Sequence, residues 1–465
     1  MTAGATWINL PLPFYCSDYH VTINIVNHTA RPARIENFSK ERFVSKQYME
    51  QEWDSVWKTQ WLIAGLQSDV EKPGDYFIFD LGREQILVTQ TSKKEIQGFY
   101  NVCQHRGNRL VNDERGHAVN FRCAYHAWTY NLDGDLSIVP YKERFTDGAP
   151  GKERSLKKVH TECWNGFVFV CLADEPTSFE AFLGPLDNIL SPYRFDKMTL
   201  VQDQTVHLDC NWKAVIDNFG ELYHVDFLHP QHKSMVDCCN DTVRLFEFGH
   251  TGVEVPGATV NPRFPVPEMP TDIQTVQLES IGLDPTSFKG RVMDVRNAVQ
   301  KQKREVGLAR GMDYSGLSDD QLSDVWQYNI FPNVVLSFTP EHCWILRPRP
   351  HPTDPSKCEF DKISLVFFAD PALATPGEAI MSAGRHDQGA SAFAPEDYDR
   401  PERDVFHYDA VISGEKSMTD TINQDVELLG GVQSGMSSAG FDTVFLNEDE
   451  MRVQHFHNRM NQLIP

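Results

Sequence analysis

The twenty residues from Asn211 to Pro230 read Asn-Trp-Lys-Ala-Val-Ile-Asp-Asn-Phe-Gly-Glu-Leu-Tyr-His-Val-Asp-Phe-Leu-His-Pro. Their apolar side chains recur at helical spacing, which predicts an amphipathic helix: Trp212, Val215, Phe219 and Leu222. Three ionisable residues are predicted to stack along another side of this helix: Asp217, Glu221 and His224. Pro230 disfavours helical backbone at His229, so the helix is predicted to end or kink there. Two imidazoles at a broken helix end, joined by a carboxylate, form the 2-His-1-carboxylate set that binds Fe(II).

Two segments upstream each pair a thiol with an imidazole. They read Cys103-Gln-His105 and Cys123-Ala-Tyr-His126. A [2Fe-2S] cluster with two Cys ligands on one iron and two His ligands on the other needs this set of residues. A Cys2His2 zinc site uses the same residue types, although its ligands usually stand further apart within each half. The residues alone leave the cluster, the zinc site and four unrelated side chains as alternatives.

The residues around these segments predict short strands. Segments 76–80, 85–89 and 96–100 are rich in β-branched and aromatic residues and are separated by turn residues. We therefore expect a small all-β domain. Further strands recur between Trp326 and Phe368 with proline breaks, which predicts an antiparallel meander. Residues 1–40 are predicted to be an extended arm, and residues 370–404 a long loop.

The last predicted element is a helix from about His407 to Ser437. One face recurs at spacings of four and three: Met418, Ile422, Asp425, Leu429 and Val432. An acid within an apolar stripe is costly unless it is paired or bound to a metal ion. Asp425 is thus either a metal ligand or the partner of a buried cation such as Arg347.

The composition limits the classes of partner. The formal net charge of −22 argues against nucleic acid or an anionic membrane as the main partner. No apolar run approaches the length of a membrane span, and the N-terminus lacks signal-peptide order, so we expect a cytoplasmic protein. The 10 cysteines show no disulfide framework.

Taken together, these motifs resemble the Rieske non-heme iron oxygenases. Residues 61–170 resemble their Rieske domain, and residues 211–230 resemble the iron motif of their catalytic subunit. The resemblance implies that the cluster ligands are Cys103, His105, Cys123 and His126. It likewise implies that His224, His229 and Asp425 bind a mononuclear Fe(II).

The resemblance also implies the architecture. We expect an α+β protein in which a small all-β Rieske domain joins a helix-grip catalytic domain of antiparallel sheet and helices. The expected division is an N-terminal arm and helix over residues 1–58, the Rieske domain over 59–170 and the catalytic domain over 171–465. A homotrimer is implied, in which electrons cross between neighbouring chains; a separate β-subunit stays open.

In function, the resemblance implies a terminal oxygenase component that uses O2 to hydroxylate a small aromatic or apolar substrate, either by cis-dihydroxylation or by mono-oxygenation. Glu221 would link the two metal sites, while Asn218 and Tyr223 either orient groups near the iron or pack the helix. The apolar pocket is predicted to include four residues: Phe227, Met235, Phe331 and Phe338. The chain lacks a G-x-G-x-x-G fingerprint, so we expect no bound nicotinamide or flavin; electrons come from NAD(P)H through a separate reductase, with or without a ferredoxin.

Two alternatives remain within the resemblance. Ring-hydroxylating members mostly carry Asp at the position of Glu221, whereas members acting on quaternary ammonium compounds often carry Glu. The first alternative is therefore an N- or O-demethylating mono-oxygenase, including one that acts on quaternary ammonium substrates. The second is a Rieske electron carrier without oxygenase activity.

Overall fold

The computed structural model describes residues 24–27, 36–232, 236–237, 240–367 and 400–464. Most of the predicted N-terminal arm and of the predicted loop over 370–404 lies outside these ranges. No helix within them is long and apolar enough to cross a membrane. The predicted helix over residues 41–58 is confirmed as two short α-helices and a π-helical turn that bury Phe43, Val56 and Trp57.

The first large sheet has seven strands, and all of its pairings are antiparallel. In spatial order they are Leu62–Leu66, Phe167–Cys171, Lys158–Trp164, Ile96–Tyr100, Gln85–Gln90, Asp75–Asp80 and Arg115–His117. A smaller sheet beside it consists of Leu136–Ile138, Thr129–Tyr130 and Phe121–Arg122. The strands predicted over 76–80, 85–89 and 96–100 are confirmed. The loop that carries Cys103 and His105 joins two strands of the seven-stranded sheet, and the loop that carries Cys123 and His126 joins two strands of the smaller sheet.

The second large sheet has nine strands. In spatial order they are Asn24–Asn27, Thr242–Leu245, Thr251–Val255, Val325–Ile330, Val334–Thr339, His342–Pro350, Cys358–Val366, Thr199–Leu208 and Asp404–His407. The first and last strands pair in parallel with their neighbours, and the others pair antiparallel. The predicted meander is confirmed, because the strands from Val325 to Val366 pair in chain order.

The helices lie around the sheets and in the connections between strands. Those described are Glu41–Val44, Lys46–Glu52, Phe179–Leu183, Leu186–Leu190, Trp212–Asn218, Val225–Leu228, Asp272–Ser280, Val295–Val306, Asp319–Ser323, Asp409–Ile412, Asp420–Met436 and Met451–Leu463. We call Trp212–Asn218 the ligand helix, Asp420–Met436 the carboxylate helix and Met451–Leu463 the C-terminal helix. The prediction of one helix from about His407 to Ser437 was wrong in extent, since a strand and a short helix precede the carboxylate helix.

The C-terminal helix was not predicted, although it packs beside the ligand helix. Its residues Val453, Phe456 and Met460 are buried in the core that also holds Trp212 and Phe219. The Trp212 and Phe456 rings meet edge to face at 5.9 Å. The ligand helix is therefore held in place by the last helix of the chain.

A buried ion cluster joins the two large sheets. Asp361 lies between Arg347 and Arg349, at 2.9 Å and 2.8 Å. Arg347 also donates to the backbone oxygens of Ile63 and Ala64, and Arg349 to that of Asp80, all in the seven-stranded sheet. Burial alone would raise the pKa of Asp361, but the two guanidinium groups hold it well below its usual range.

Candidate iron–sulfur and metal centres

The two Cys–His loops share one backbone design. In the first, the amide of Gly107 donates to Cys103 O at 3.0 Å and the amide of Cys103 donates to Asn108 O at 2.8 Å. In the second, Ala127 donates to Cys123 O at 3.0 Å, and Cys123 to Trp128 O at 2.9 Å. The residue four places after each cysteine has a positive φ, +76° in Gly107 and +57° in Ala127. Two equivalent turns therefore present the thiols and imidazoles.

In this pair of loops the two histidines lie against each other, and so do the two cysteines. The rings of His105 and His126 lie 4.6 Å apart, and His105 stacks on Trp128 at 4.7 Å with an interplanar angle of 10°. Cys103 and Cys123 are both buried and interact with each other. This arrangement suits a two-iron cluster, which takes both thiolates on one iron and both imidazoles on the other.

The electrostatics of these groups also fit a cluster. The Nδ1 atom of His126 is buried without a hydrogen-bond partner among the described residues. Burial, with the neighbouring His126, lowers the pKa of His105 and favours the neutral, ligating form. Burial raises the pKa of the Cys103 thiol, opposed by a hydrogen bond from Tyr130. A bound cation would stabilise the thiolate that burial disfavours.

The ligand helix ends earlier than the sequence pattern predicts. It stops at Asn218, and a turn separates it from the short helix Val225–Leu228. At Gly220 a Cβ atom would lie 2.9 Å from Val453 Cγ2 and 3.0 Å from Ile216 O, so the C-terminal helix leaves room only for glycine. The predicted stacking of Asp217, Glu221 and His224 along one helix is therefore wrong. Asp217 instead accepts from His457 Nε2 at 3.0 Å.

Glu221 and His224 nevertheless meet across the turn. Glu221 Oε1 lies 2.5 Å from His224 Nδ1, and Glu221 Oε2 accepts from the backbone amide of His224 at 3.0 Å. An ionised carboxylate only accepts hydrogen bonds, so Nδ1 of His224 carries the proton. Nε2 of His224 then presents its lone pair on the other side of the ring.

Asp425 completes a convergent group of three side chains. It is 1% exposed, and its Oδ1 lies 3.2 Å from His229 Nε2 and 3.6 Å from His224 Nε2. One ligand atom from each of the three residues lies within 4.8 Å of the others. Oδ1 of Asp425 has no hydrogen-bond partner among the described residues, which would be costly for a buried carboxylate unless a cation lay between these groups. The three residues therefore fit a single metal ion.

The alternative partner for Asp425 was wrong, because Arg347 pairs with Asp361. Burial opposes the charged form of His229, but the adjoining Asp425 carboxylate and the contact with Gln424 outweigh burial, and the pKa of His229 is raised. Its partners thus favour a positive charge at this position, and a metal ion supplies one without protonating the ring.

The other predicted site residues occupy varied surroundings. Nδ2 of Asn218 is buried and finds no hydrogen-bond partner in the described part of the chain. Tyr223 is 52% exposed, and its ring meets that of Phe227 edge to face at 5.9 Å. Phe331 and Phe338 are buried and pack against Phe456 and Tyr193 respectively. Met235 lies outside the described residues.

The sequence analysis did not predict two side chains that join the carboxylate helix to the histidine segment, of which only Gln424 contacts a proposed metal ligand. Gln424 contacts Nδ1 of His229 at 2.7 Å, and Thr421 contacts Nε2 of His232 at 2.8 Å. Both come from the carboxylate helix, about 190 positions along the chain from the histidines. The one available signal for Gln424 was its place directly before Asp425.

The fold and these two centres define a class of protein: a Rieske-type domain followed by a mononuclear-iron catalytic domain. Two family descriptions match the chain in that order, "Rieske [2Fe-2S] domain" over residues 60–159 and "Ring hydroxylating alpha subunit (catalytic domain)" over residues 195–465. The chain belongs to the ring-hydroxylating alpha-subunit family. A Rieske [2Fe-2S] cluster and a mononuclear iron are the cofactors that these two domains imply.

Similar curated proteins fall into two groups. The glycine betaine monooxygenase oxygenase subunit of Chromohalobacter salexigens is 36% identical over 182 residues, which cover 39% of this chain and 40% of that protein. The large oxygenase component of the naphthalene 1,2-dioxygenase system of Pseudomonas aeruginosa is 32% identical over 190 residues, covering 40% and 42%. The matched segments thus span less than half of either relative.

Solved structures share the fold over nearly the whole chain. A quaternary ammonium Rieske monooxygenase in complex with L-carnitine gives a TM-score of 0.63 at 17% identity, covering 92% of this chain and 96% of that one. A naphthalene 1,2-dioxygenase with bound indole also gives 0.63, at 18% identity and 92% coverage of each chain. The α+β architecture of a Rieske domain plus a catalytic domain is confirmed.

Proposed function

We propose that this chain is the terminal oxygenase component of a Rieske oxygenase system, and that it hydroxylates a small aromatic or apolar substrate. The convergence of His224, His229 and Asp425 carries this proposal, because all three offer ligand atoms within 4.8 Å around a buried, unpartnered carboxylate oxygen. In the proposed division, residues 59–170 form the Rieske domain and residues 171–465 the catalytic domain.

The proposed ligand sets follow from the geometry of the side chains. Cys103, Cys123, His105 and His126 would hold the [2Fe-2S] cluster. His224, His229 and Asp425 would hold Fe(II). When bound, the iron supplies O2 activation and the cluster supplies electrons.

The surrounding residues prepare these ligands. Glu221 holds the proton of His224 on Nδ1 and thereby keeps Nε2 available to a metal ion. The positive φ of Gly107 and Ala127 folds the two loops so that the thiols and the imidazoles gather into two pairs. Trp128 stacks on His105 and restricts the orientation of that ring.

We also propose protein partners that supply the electrons for this oxygenase reaction. The names of the naphthalene and dinitrotoluene relatives call each a component of a system, which supports separate electron-donating proteins here: an NAD(P)H-dependent reductase, with or without a ferredoxin. We also propose a homotrimer in which Glu221 faces the cluster of the next chain. The exposed Tyr223 and Phe227 lie beside Glu221, and the exposed Tyr125 packs on His126, so both ends present aromatic surface.

Mixing two inactive variants tests the trimer. His126→Ala removes a cluster ligand, and His224→Ala removes an iron ligand. If electrons cross between chains, co-expressed mixed oligomers regain activity that neither variant has alone. Monomeric protein on size-exclusion chromatography with light scattering, or mixed oligomers without regained activity, contradicts this part of the proposal.

Oxygen incorporation tests the reaction itself. The holoenzyme, supplied with NADH and a surrogate reductase under 18O2, is expected to place labelled oxygen in products from a panel that includes naphthalene and indole. His224→Ala is the matched variant that should abolish labelling while the cluster is still reduced. An unlabelled panel with normal cluster reduction would favour an electron carrier instead.

A second candidate function is oxidative N-demethylation of a quaternary ammonium compound. Two observations favour it: the acid that bonds His224 is Glu221, and the glycine betaine monooxygenase subunit is 36% identical over its matched segment. Glycine betaine and carnitine should therefore enter the same panel. Formaldehyde release coupled to O2 consumption supports this candidate, whereas hydroxylated naphthalene supports the first.

A further inference from the structure

We infer that Gln424 is a positioning residue that fixes the tautomer and orientation of the metal ligand His229; this inference rests on the proposed function. Oε1 of Gln424 lies 2.7 Å from Nδ1 of His229. His229 is 2% exposed, so water has little access to replace this contact. A metal-binding imidazole is commonly oriented by a hydrogen bond from its other ring nitrogen.

A second glutamine pairs with the Gln424 amide in the orientation that turns the Gln424 oxygen toward His229. Gln231 Nε2 donates to Gln424 Oε1 at 2.9 Å, and Gln424 Nε2 donates back to Gln231 Oε1 at 3.4 Å. With this orientation, Gln424 presents an oxygen to His229. Because a carbonyl oxygen only accepts, Nδ1 of His229 carries the proton and Nε2 keeps its lone pair.

The carboxylate helix thus contacts both ring nitrogens of His229. Gln424 bonds Nδ1 of His229, and the next residue, Asp425, faces Nε2 at 3.2 Å. His224 has the same tautomer, but there the outer acceptor is the carboxylate of Glu221. The two histidines therefore differ in their outer partner, which is charged for His224 and neutral for His229.

The same helix offers a matched control. Thr421 contacts Nε2 of His232 at 2.8 Å and so joins the carboxylate helix to the same segment, without touching a proposed ligand. Thr421→Val removes a comparable hydrogen bond at nearly unchanged side-chain volume. Gln424→Leu removes the acceptor for His229, and Gln424→Glu retains one.

Metal affinity distinguishes these roles. Each full-length variant is loaded with its cluster, and Co(II) binding at the mononuclear site is titrated anaerobically by the Co(II) EPR signal, with the cluster kept oxidised and EPR-silent. We expect Gln424→Leu to weaken Co(II) binding by about 10–100-fold. Gln424→Glu and Thr421→Val should stay close to the wild-type affinity, and Asp425→Ala should lose the site.

The outcomes distinguish a failure of the proposed metal site from a failure of the proposed role of Gln424. If Asp425→Ala binds Co(II) as wild type does, the proposed metal site itself is wrong. If Asp425→Ala loses binding while Gln424→Leu retains it, only the role of Gln424 is overturned. Equal weakening by Thr421→Val and Gln424→Leu also overturns that role, because it would reflect a loosened helix. Thermal melting and cluster absorbance of each variant establish that the chain is folded.

Discussion

Glu221 Oε1 lies 2.5 Å from Nδ1 of His224, the shortest link between a proposed iron ligand and the carboxylate that we place between the two metal sites. Glu221→Gln keeps an acceptor but removes the charge. We expect iron to be retained while reoxidation of the reduced cluster by O2 in the presence of substrate slows by about 10–100-fold. Stopped-flow absorbance of the cluster measures this rate.

The matched control for Glu221 is Asp226→Asn. Asp226 lies in the same segment as Glu221 and pairs with Arg263 instead of a proposed ligand. Its change should leave the reoxidation rate unaltered. Equal slowing in both variants would mean that the overall negative charge of this surface, rather than the contact with His224, controls the rate of cluster reoxidation.

We expect Tyr130 to raise the reduction potential of the proposed cluster. Its hydroxyl accepts from the amide of Gln104 at 2.9 Å and lies 3.4 Å from Cys103 Sγ. Burial, then the adjoining Cys103, raises the pKa of Tyr130, so the hydroxyl stays protonated and donates to the sulfur. Because hydrogen bonds to cluster sulfur raise the reduction potential, Tyr130→Phe should lower it in a spectroelectrochemical titration. Tyr125→Phe, whose exposed ring packs on His126, should leave the potential unchanged; an unshifted potential in Tyr130→Phe contradicts the assignment.

The ion cluster around Asp361 stabilises the junction of the two sheets. Asp361→Asn removes the carboxylate that the buried Arg347 and Arg349 share and leaves only Glu359 beside Arg349, and losing one partner of a buried pair costs about 3–5 kcal/mol. Denaturant unfolding followed by tryptophan fluorescence measures the loss. The pair of Arg83 and the exposed Glu50 is the control, and Glu50→Gln should cost far less stability than Asp361→Asn. Similar losses for both variants would contradict the account.

His250 makes stability depend on pH. Its Nε2 donates to Phe182 O at 2.8 Å and its Nδ1 accepts from the amide of Phe331 at 3.0 Å, while burial lowers its pKa to about 4. The unfolded chain, with an ordinary pKa of about 6.5, takes up this proton first as pH falls. The contribution of His250 to the free energy of unfolding is therefore fully present above pH 6.5 and falls by about 3 kcal/mol as the pH is lowered to 4.

His250→Gln retains a donor and an acceptor but does not titrate. The free energy of unfolding of this variant should fall less than that of wild type between pH 6.5 and 4. Measurement at pH 8, where His250 is neutral in both states, gives the cost of repacking alone. Parallel pH profiles for the two proteins would contradict the role assigned to His250.

The sequence predicted the local motifs better than the distant residues that hold those motifs in place. The strands over 76–80, 85–89 and 96–100, predicted from their β-branched and aromatic residues, are found as expected. Glu221 and His224 meet although the helix between them is broken, because a separation of three residues also brings side chains together in a turn. Asp425 could be recognised as a buried acid within an apolar stripe.

What the sequence did not reveal depends on distant partners. The helix breaks beside Gly220, where Val453 leaves no room for a Cβ atom, and no local pattern records this packing. The C-terminal helix was missed because Arg452 and His457 are buried there beside its apolar residues and obscure the helical period. The two ring nitrogens of His457 form hydrogen bonds with Asp217 and Arg42, and both residues lie far from His457 in the sequence.

Iron content with EPR tests the central claim most directly. Anaerobically purified protein should contain about three irons per chain and give a Rieske-type signal on reduction, since one two-iron cluster and one mononuclear site are proposed. His229→Ala should then contain about two irons per chain and keep the Rieske signal. Three irons in both proteins would contradict the assignment of His229, and colourless protein that contains zinc would contradict the oxygenase proposal altogether.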